Sequence, residues 1–120
     1  MHTLYVVSLL FLALLLLIFL NYQYTNRYVQ QMIAEADAFS VATTSPQQIS
    51  DFINTWHRHK RLLSFSVNYR ELDRMEELLL MLKFYHGEQN ETEVQRTCIL
   101  IADAARDIVR LEQFNIENIF

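Results

Sequence analysis

Glycine, proline and cysteine each occur once in 120 residues. One glycine and one proline cannot supply the turns of a sandwich, barrel or propeller. There is no glycine-rich phosphate loop of either common type. A lone cysteine excludes an intramolecular disulfide framework and a cysteine-built zinc site. Bases are scarce too: 10 Lys and Arg face 14 Asp and Glu, a net charge of −4. A nucleic-acid binder usually shows the opposite balance, so no nucleic-acid partner is expected. The most local scarcity is at the start, where residues 1–26 contain no Asp, Glu, Lys or Arg.

That uncharged start is strongly apolar. Leu4 to Leu20 reads LYVVSLLFLALLLLIFL. A helix over Thr3 to Tyr22 is about 30 Å long, which matches a hydrocarbon core. Tyr5 near one end, with Tyr22 and Tyr24 near the other, suits an interfacial aromatic belt. Apolar residues occur all round the helix, so no single face is reserved for a protein core. A cleaved signal peptide and a buried core helix are the competing readings. The former wants a basic start, a shorter run and a small-x-small site, and FLNYQYTN offers none. The expected organisation is a transmembrane anchor over 1–24 and a helical domain over 25–120. Lys and Arg counts barely orient it: Arg27 is the first cation, and counted literally it leans toward a cytoplasmic domain.

From Thr25 the pattern becomes amphipathic. Tyr28, Met32, Ala36 and Phe39 form one stripe that continues the first helix. VATTSP ends it. Ser45-Pro46-Gln47-Gln48 is a helix start, with Ser at the N-cap, Pro at the first position and Gln able to reach back. Ile49, Phe52, Ile53, Trp56 and Leu63 share a side of the second helix. Residues 62–67 read as either a bend or a continuation. Asn68 with Glu71 opens a third helix carrying Leu72, Met75, Leu79, Leu82 and His86. Gly87 stands where a C-terminal cap is expected. Asn90 with Glu93 opens a fourth, with Val94, Cys98, Ile101, Ala105 and Ile108 inward. The apolar tail, Phe114 to Phe120, is expected to fold back on the bundle. The fold class is all-α: one transmembrane helix followed by a small three- to four-helix bundle.

Chemistry-bearing motifs are sparse. His57 and His59 point about 200° apart on a helix, unlike the i,i+4 pair of a zinc helix. No Glu-x-x-His of a di-iron bundle occurs. His86 reads as a cap or core histidine, and Cys98 as a small buried hydrophobe. Glu71, Asp73, Arg74, Glu76, Glu77 and Lys83 read as a solvated face, with Arg74 balancing Asp73 or Glu77 and Arg70 reaching Asp73. The most concentrated positive segment is Trp56-His57-Arg58-His59-Lys60-Arg61. It suits a helix end opposing its own dipole, or contact with anionic headgroups or an acidic partner. Trp56 shares the stripe of Ile49 and Phe52 and reads as core. No catalytic residue, metal ligand or cofactor is expected, and the chain is not read as an enzyme.

Four features together resemble a known family. They are the apolar leader, the stretch Trp56 to Arg61, the segment Arg70-Glu71-Leu72-Asp73-Arg74-Met75-Glu76, and the ending Glu112-Gln113-Phe114-Asn115-Ile116-Glu117-Asn118-Ile119-Phe120. This layout is similar to the bacterial, mostly Firmicutes and clostridial, domain of unknown function 4363. Two positions depart from the family pattern: the N-terminus lacks a Lys or Arg, and Tyr69 stands where many members carry His. The resemblance implies a single-pass membrane protein with its helical domain outside the cytoplasm. It implies no activity. It also suggests a membrane partner, a YetF-like protein or another, because relatives are often encoded beside such proteins.

The expected function is therefore an interaction or accessory module. It binds a membrane-protein or envelope partner while anchored in the bilayer, with Trp56, His57, Arg58, His59, Lys60 and Arg61 as the candidate partner- or anion-binding residues. The alternative is a module that senses an anionic ligand or a lipid headgroup.

Overall fold

The computed structural model describes residues 2–63 and 69–119, with side chains placed over 2–61 and 69–110. Four α-helices follow one another: α1 His2–Ala38, α2 Pro46–Leu63, α3 Tyr69–Gly87 and α4 Glu91–Ile119. Among the described residues there is no strand. The all-α class with one long apolar N-terminal helix and a bundle is what the structure shows.

α1 runs 37 residues without a break. Its N-terminal half is long and apolar enough to cross a membrane, and its most apolar window has no buried residue. The first buried side chain is Thr25, followed by Tyr28, Val29, Met32, Ile33 and Ala36. One helix thus changes surroundings along its length: side chains open all round, then a single stripe packed against protein. The shape follows, with a longest dimension of 67 Å against 24 and 20 Å.

The helices pack in up-and-down order. α1 lies against α4, α4 against α3, and α3 against α2. α2 also returns along α1. Phe52 meets Phe39 edge-on at 4.9 Å, and His59 reaches Tyr24 and Tyr28 near the apolar segment. The core is the expected set of stripes: Met32, Ile49, Trp56, Leu72, Met75, Leu79, Leu82, Val94, Ile101 and Ile108 are all essentially inaccessible. Ala102, Ala104 and Ala105 are buried on α4. Their small side chains let neighbouring backbones approach closely.

The helix ends carry the expected local chemistry, with one exception. Ser45 caps α2: Gln48 N–H donates to Ser45 Oγ (3.2 Å), and Ser45 N–H donates to Gln48 Oε1 (2.7 Å). Asn90 caps α4 through Glu93 N–H at 3.2 Å. Gly87, however, does not end α3 in the left-handed conformation. Gln89 does, at φ 57°. Asn90 N–H donates to Tyr85 O (3.0 Å) and Gln89 N–H to His86 O (3.1 Å). That pair of bonds is a Schellman motif with Gln89 at the left-handed position. Asn90 closes one helix and opens the next, and this demand for spacing moves the special residue two places past the glycine.

Two further expectations need correction. The chain does not fold back at Phe114, because α4 continues as one helix to Ile119. The sequence from Ile108 to Ile119 holds no proline or glycine to stop the helix. Arg74 does not balance Asp73 or Glu77. It crosses to Asp107 of α4 at 3.5 Å, and Asp107 also takes Arg110 at 3.0 Å. The question whether residues 62–67 bend lies mostly outside the described residues, α2 ending at Leu63.

Far from the apolar segment, the α1–α2 turn is tied to α4. Val41 N–H donates to Glu91 Oε2 (2.7 Å), and Gln95 Nε2 donates to Phe39 O (3.0 Å) and Glu91 Oε1 (2.8 Å). These bonds hold the Glu91 carboxyl below its usual range, the Val41 amide contributing most. His86 is buried and donates from Nε2 to Thr44 O at 2.7 Å. It is a core histidine that satisfies a loop carbonyl, as one of its two expected roles had it. Cys98 is buried, and burial chiefly pushes its thiol up to about 11.

Candidate interaction site

The Trp56–Arg61 segment forms the last turns of α2, at the end of the bundle nearest the apolar half of α1. One helical turn cannot present six successive side chains to one ligand. The structure divides them three ways.

Trp56, His57 and Lys60 turn toward α3 and converge on Glu76. Trp56 is fully buried, and its Nε1–H donates to Glu76 Oε1 at 2.9 Å. Lys60 Nζ lies 3.1 Å from the same oxygen, and His57 Nε2–H donates to Oε2 at 3.0 Å. Burial pushes the carboxyl up, but the bonds from His57, Trp56 and Lys60 outweigh it and hold it below the usual carboxylate range. Glu76 is half-buried. It is the residue that sequence reasoning missed, having been placed on a solvated face. The available signal was the i,i+1,i+4 spacing of three donors on α2, which face one neighbour only if that neighbour supplies an acceptor.

His59 turns the other way, to α1. Its ring stacks on Tyr28 with centroids 3.8 Å apart and planes at 21°. Nδ1 lies 2.7 Å from Tyr24 Oη. Burial, with help from Arg58, lowers the imidazole below its ordinary value. It is therefore neutral near pH 7, and the Tyr24 hydroxyl donates to it. Burial, joined by Glu35, raises the Tyr28 phenol, so Tyr28 stays a neutral platform.

Arg58 and Arg61 are exposed. Arg58 Nη2 donates to Thr55 Oγ1 at 3.2 Å within its own helix. With exposed His57 they line a shallow depression of about 320 Å3. Of the six candidate residues, these three border a common surface. Trp56 is enclosed, Lys60 serves Glu76, and His59 serves α1.

A second exposed feature lies on α3. Leu80 is 67% exposed and Phe84 61%, one turn apart, with Met81 beside them at 38%. The opposite side of the same helix buries Leu72, Met75, Leu78, Leu79 and Leu82. α3 is thus apolar on two faces and packed on one. Among the described residues, no group of three or more His, Cys, Asp or Glu could hold a metal ion.

The fold and these surfaces define a small helical-bundle domain continuous with a long apolar helix, its packed residues assigned to the bundle and its surplus apolar residues to two outer faces. The chain belongs to the domain of unknown function DUF4363 family, whose model matches residues 19–119. The match takes in the whole bundle and begins inside the apolar segment, so most of that segment lies outside it. No curated protein and no solved structure matches the chain.

Proposed function

We propose that this chain is a membrane-anchored interaction module. α1 holds it in the bilayer, and the outer face of α3 receives a membrane-protein or envelope partner. Leu80, Met81 and Phe84 carry this reading: large apolar side chains clustered on an outer face usually mark a protein contact. The reading is one of recognition and not of catalysis. It places the domain on the extracytoplasmic side, as the family resemblance implies. A cysteine placed at Glu88 in a Cys98→Ala background checks that side, since an impermeant thiol reagent labels it in intact cells only if the domain is outside.

The partner is tested by a photo-crosslinking residue at Phe84 in the full-length chain in cells. One dominant protein adduct, lost on Leu80→Gln with folding retained, supports the reading. Adducts spread over many proteins, or unchanged by Leu80→Gln, count against it.

The surface of His57, Arg58 and Arg61 favours a second reading, an anionic headgroup site. Guanidinium groups pair well with phosphate, and these face out at the membrane-side end of the bundle. Reconstituted full-length protein should then order phosphatidylglycerol around itself more than phosphatidylcholine, and the double variant Arg58→Gln, Arg61→Gln should lose the difference. Equal selectivity in both proteins would reject it.

A further inference from the structure

We infer that the chain meets the membrane with two helices: the last turns of α4 lie in the lipid interface alongside α1. The inference rests on the anchoring of α1 proposed above and adds a lipid-contacting surface to it.

The register between the two helices is fixed far from the membrane. Gln95 of α4 bonds to the carbonyl of Phe39, and Glu91 to the amide of Val41. From Gln95 to the end of α4 at Ile119 is about 36 Å at the helical rise. The helices run antiparallel, and the same distance back from Phe39 along α1 ends at Leu15.

The burial pattern of α1 changes at that residue. From His2 to Leu14 every side chain is exposed. Leu15, Ile18, Asn21 and Tyr22 are half-buried, while Leu16, Leu17, Phe19 and Leu20 between them stay exposed. The half-buried set has 3-4 spacing and runs on into Thr25, Val29 and Met32. α2 occupies the flank of α1 marked by Tyr24 and Tyr28, where His59 sits. At 100° per residue Leu15 and Tyr22 lie on the other flank, with Val29 and Ile33. α4 is the other helix packed against α1, and we assign that flank to it.

Leu15 and Ile18 are well inside the apolar segment, so a helix covering them reaches lipid depth. The sequence of the α4 end suits an interface: Leu111, Phe114, Ile116 and Ile119 alternate with Glu, Gln and Asn. Such a mixture belongs at the headgroup boundary and not in the hydrocarbon centre. Arg27 and Arg58 are exposed at the same end of the bundle, where cations meet lipid phosphates. The bundle therefore sits flush on the membrane and does not sway on a lone stalk.

The test uses the unmodified full-length chain in phosphatidylcholine–phosphatidylglycerol vesicles. A carbene precursor dissolved in the lipid tails is photolysed, the protein is digested with trypsin, and the peptides are weighed. Cleavage separates the regions cleanly, since Arg27 is the first basic residue and Arg110 the last. Adducts are expected on Met1–Arg27 and on Leu111–Phe120, with several-fold less on Phe84–Arg96 from the far end. Adducts on Met1–Arg27 alone overturn this inference and leave the anchor standing. No adduct on Met1–Arg27 overturns the anchor, and the inference with it. Labelling of Phe84–Arg96 equal to that of Leu111–Phe120 also overturns it, because the reagent would then be reporting any apolar surface.

Discussion

The imidazole of His59 lies nearly flat on the phenol ring of Tyr28, 3.8 Å between centroids, and accepts a hydrogen bond from Tyr24 Oη at 2.7 Å. Two residues one turn apart on α1 thus grip one residue of α2 close to the apolar segment. Only a neutral imidazole can accept that bond at Nδ1. Protonation would reverse the Tyr24 bond, the phenol oxygen then accepting, and place a charge where burial and Arg58 already disfavour it.

The stability of the domain should therefore fall on mild acidification. His59 has a lowered folded value, so below its ordinary value of 6.5 the unfolded chain takes up the proton first. The contribution is complete above the unfolded value and is lost as pH falls through the folded one. Glu76 acts in the same direction at lower pH, its folded value also being depressed. Denaturant titrations of the full chain in detergent should show two losses, the first beginning below the ordinary histidine value of 6.5. His59→Phe should keep the stack, remove the first loss and leave the second. An identical pH profile for the variant would refute the assignment.

Glu76 is the acceptor that makes three α2 donors compatible with the packed α2–α3 seam. Glu76→Gln keeps the shape and removes the charge, leaving Trp56 Nε1 with a weaker partner or none. The expected cost is about 1.5–3 kcal/mol, the range for hydrogen bonds to a charged group. Trp56→Phe should cost a similar amount. The double variant should fall short of the sum by about 1 kcal/mol, since both changes remove the same bond. Strict additivity would mean that the 2.9 Å contact contributes nothing to stability.

Cys98 should behave as an inert core atom. It is 2% exposed and its thiol is pushed up to about 11. At pH 8 roughly a thousandth of it would be thiolate even if a reagent could reach it. A water-soluble disulfide reagent should modify the folded chain far more slowly than the denatured one. Rapid modification of the folded chain would show that α1 and α4 separate readily around it.

Periodicity made the bundle legible because each helix buries one stripe: Tyr28–Met32–Ala36, Ile49–Phe52–Trp56, Leu72–Met75–Leu79–Leu82 and Val94–Cys98–Ile101–Ala105–Ile108 all face inward. Local hydrogen bonding made Ser45 and Asn90 legible as caps, since a cap is settled within four residues. What escaped depends on which helices become neighbours. Glu76 looks like any exposed carboxylate until α2 is placed beside α3. Arg74 had two acceptors within a turn and chose a third on α4. The candidate segment Trp56–Arg61 was legible as a cluster in sequence, but its division among α3, α1 and the outer surface follows from the helical turn and the neighbours on each side. Phe114 to Phe120 looked like a tail because it is apolar and lies at the end, yet nothing in it breaks a helix.

Gly87 and Gln89 give the sharpest opposition between habit and geometry. Glycine after a helix is ordinarily the left-handed cap, and its replacement is then destabilising. Here Gly87 has no positive φ, and a Cβ built on it meets nothing within 4 Å. Gly87→Ala should therefore stabilise by about 0.5–1 kcal/mol, by restricting the unfolded chain and favouring helix. Gln89 bears the left-handed strain, about 1–2 kcal/mol for a residue with a Cβ. Gln89→Gly should release part of it and also raise the melting temperature, whereas Gln89→Val should lower it, because a β-branched residue tolerates that region poorly. For a domain of this size each kcal/mol moves the midpoint by about 4–8 °C, so the three variants are separable in one set of thermal melts. If Gly87→Ala lowers the midpoint and Gln89→Gly leaves it unchanged, the left-handed residue is Gly87, and the Schellman bonds of Gln89 and Asn90 are wrongly placed.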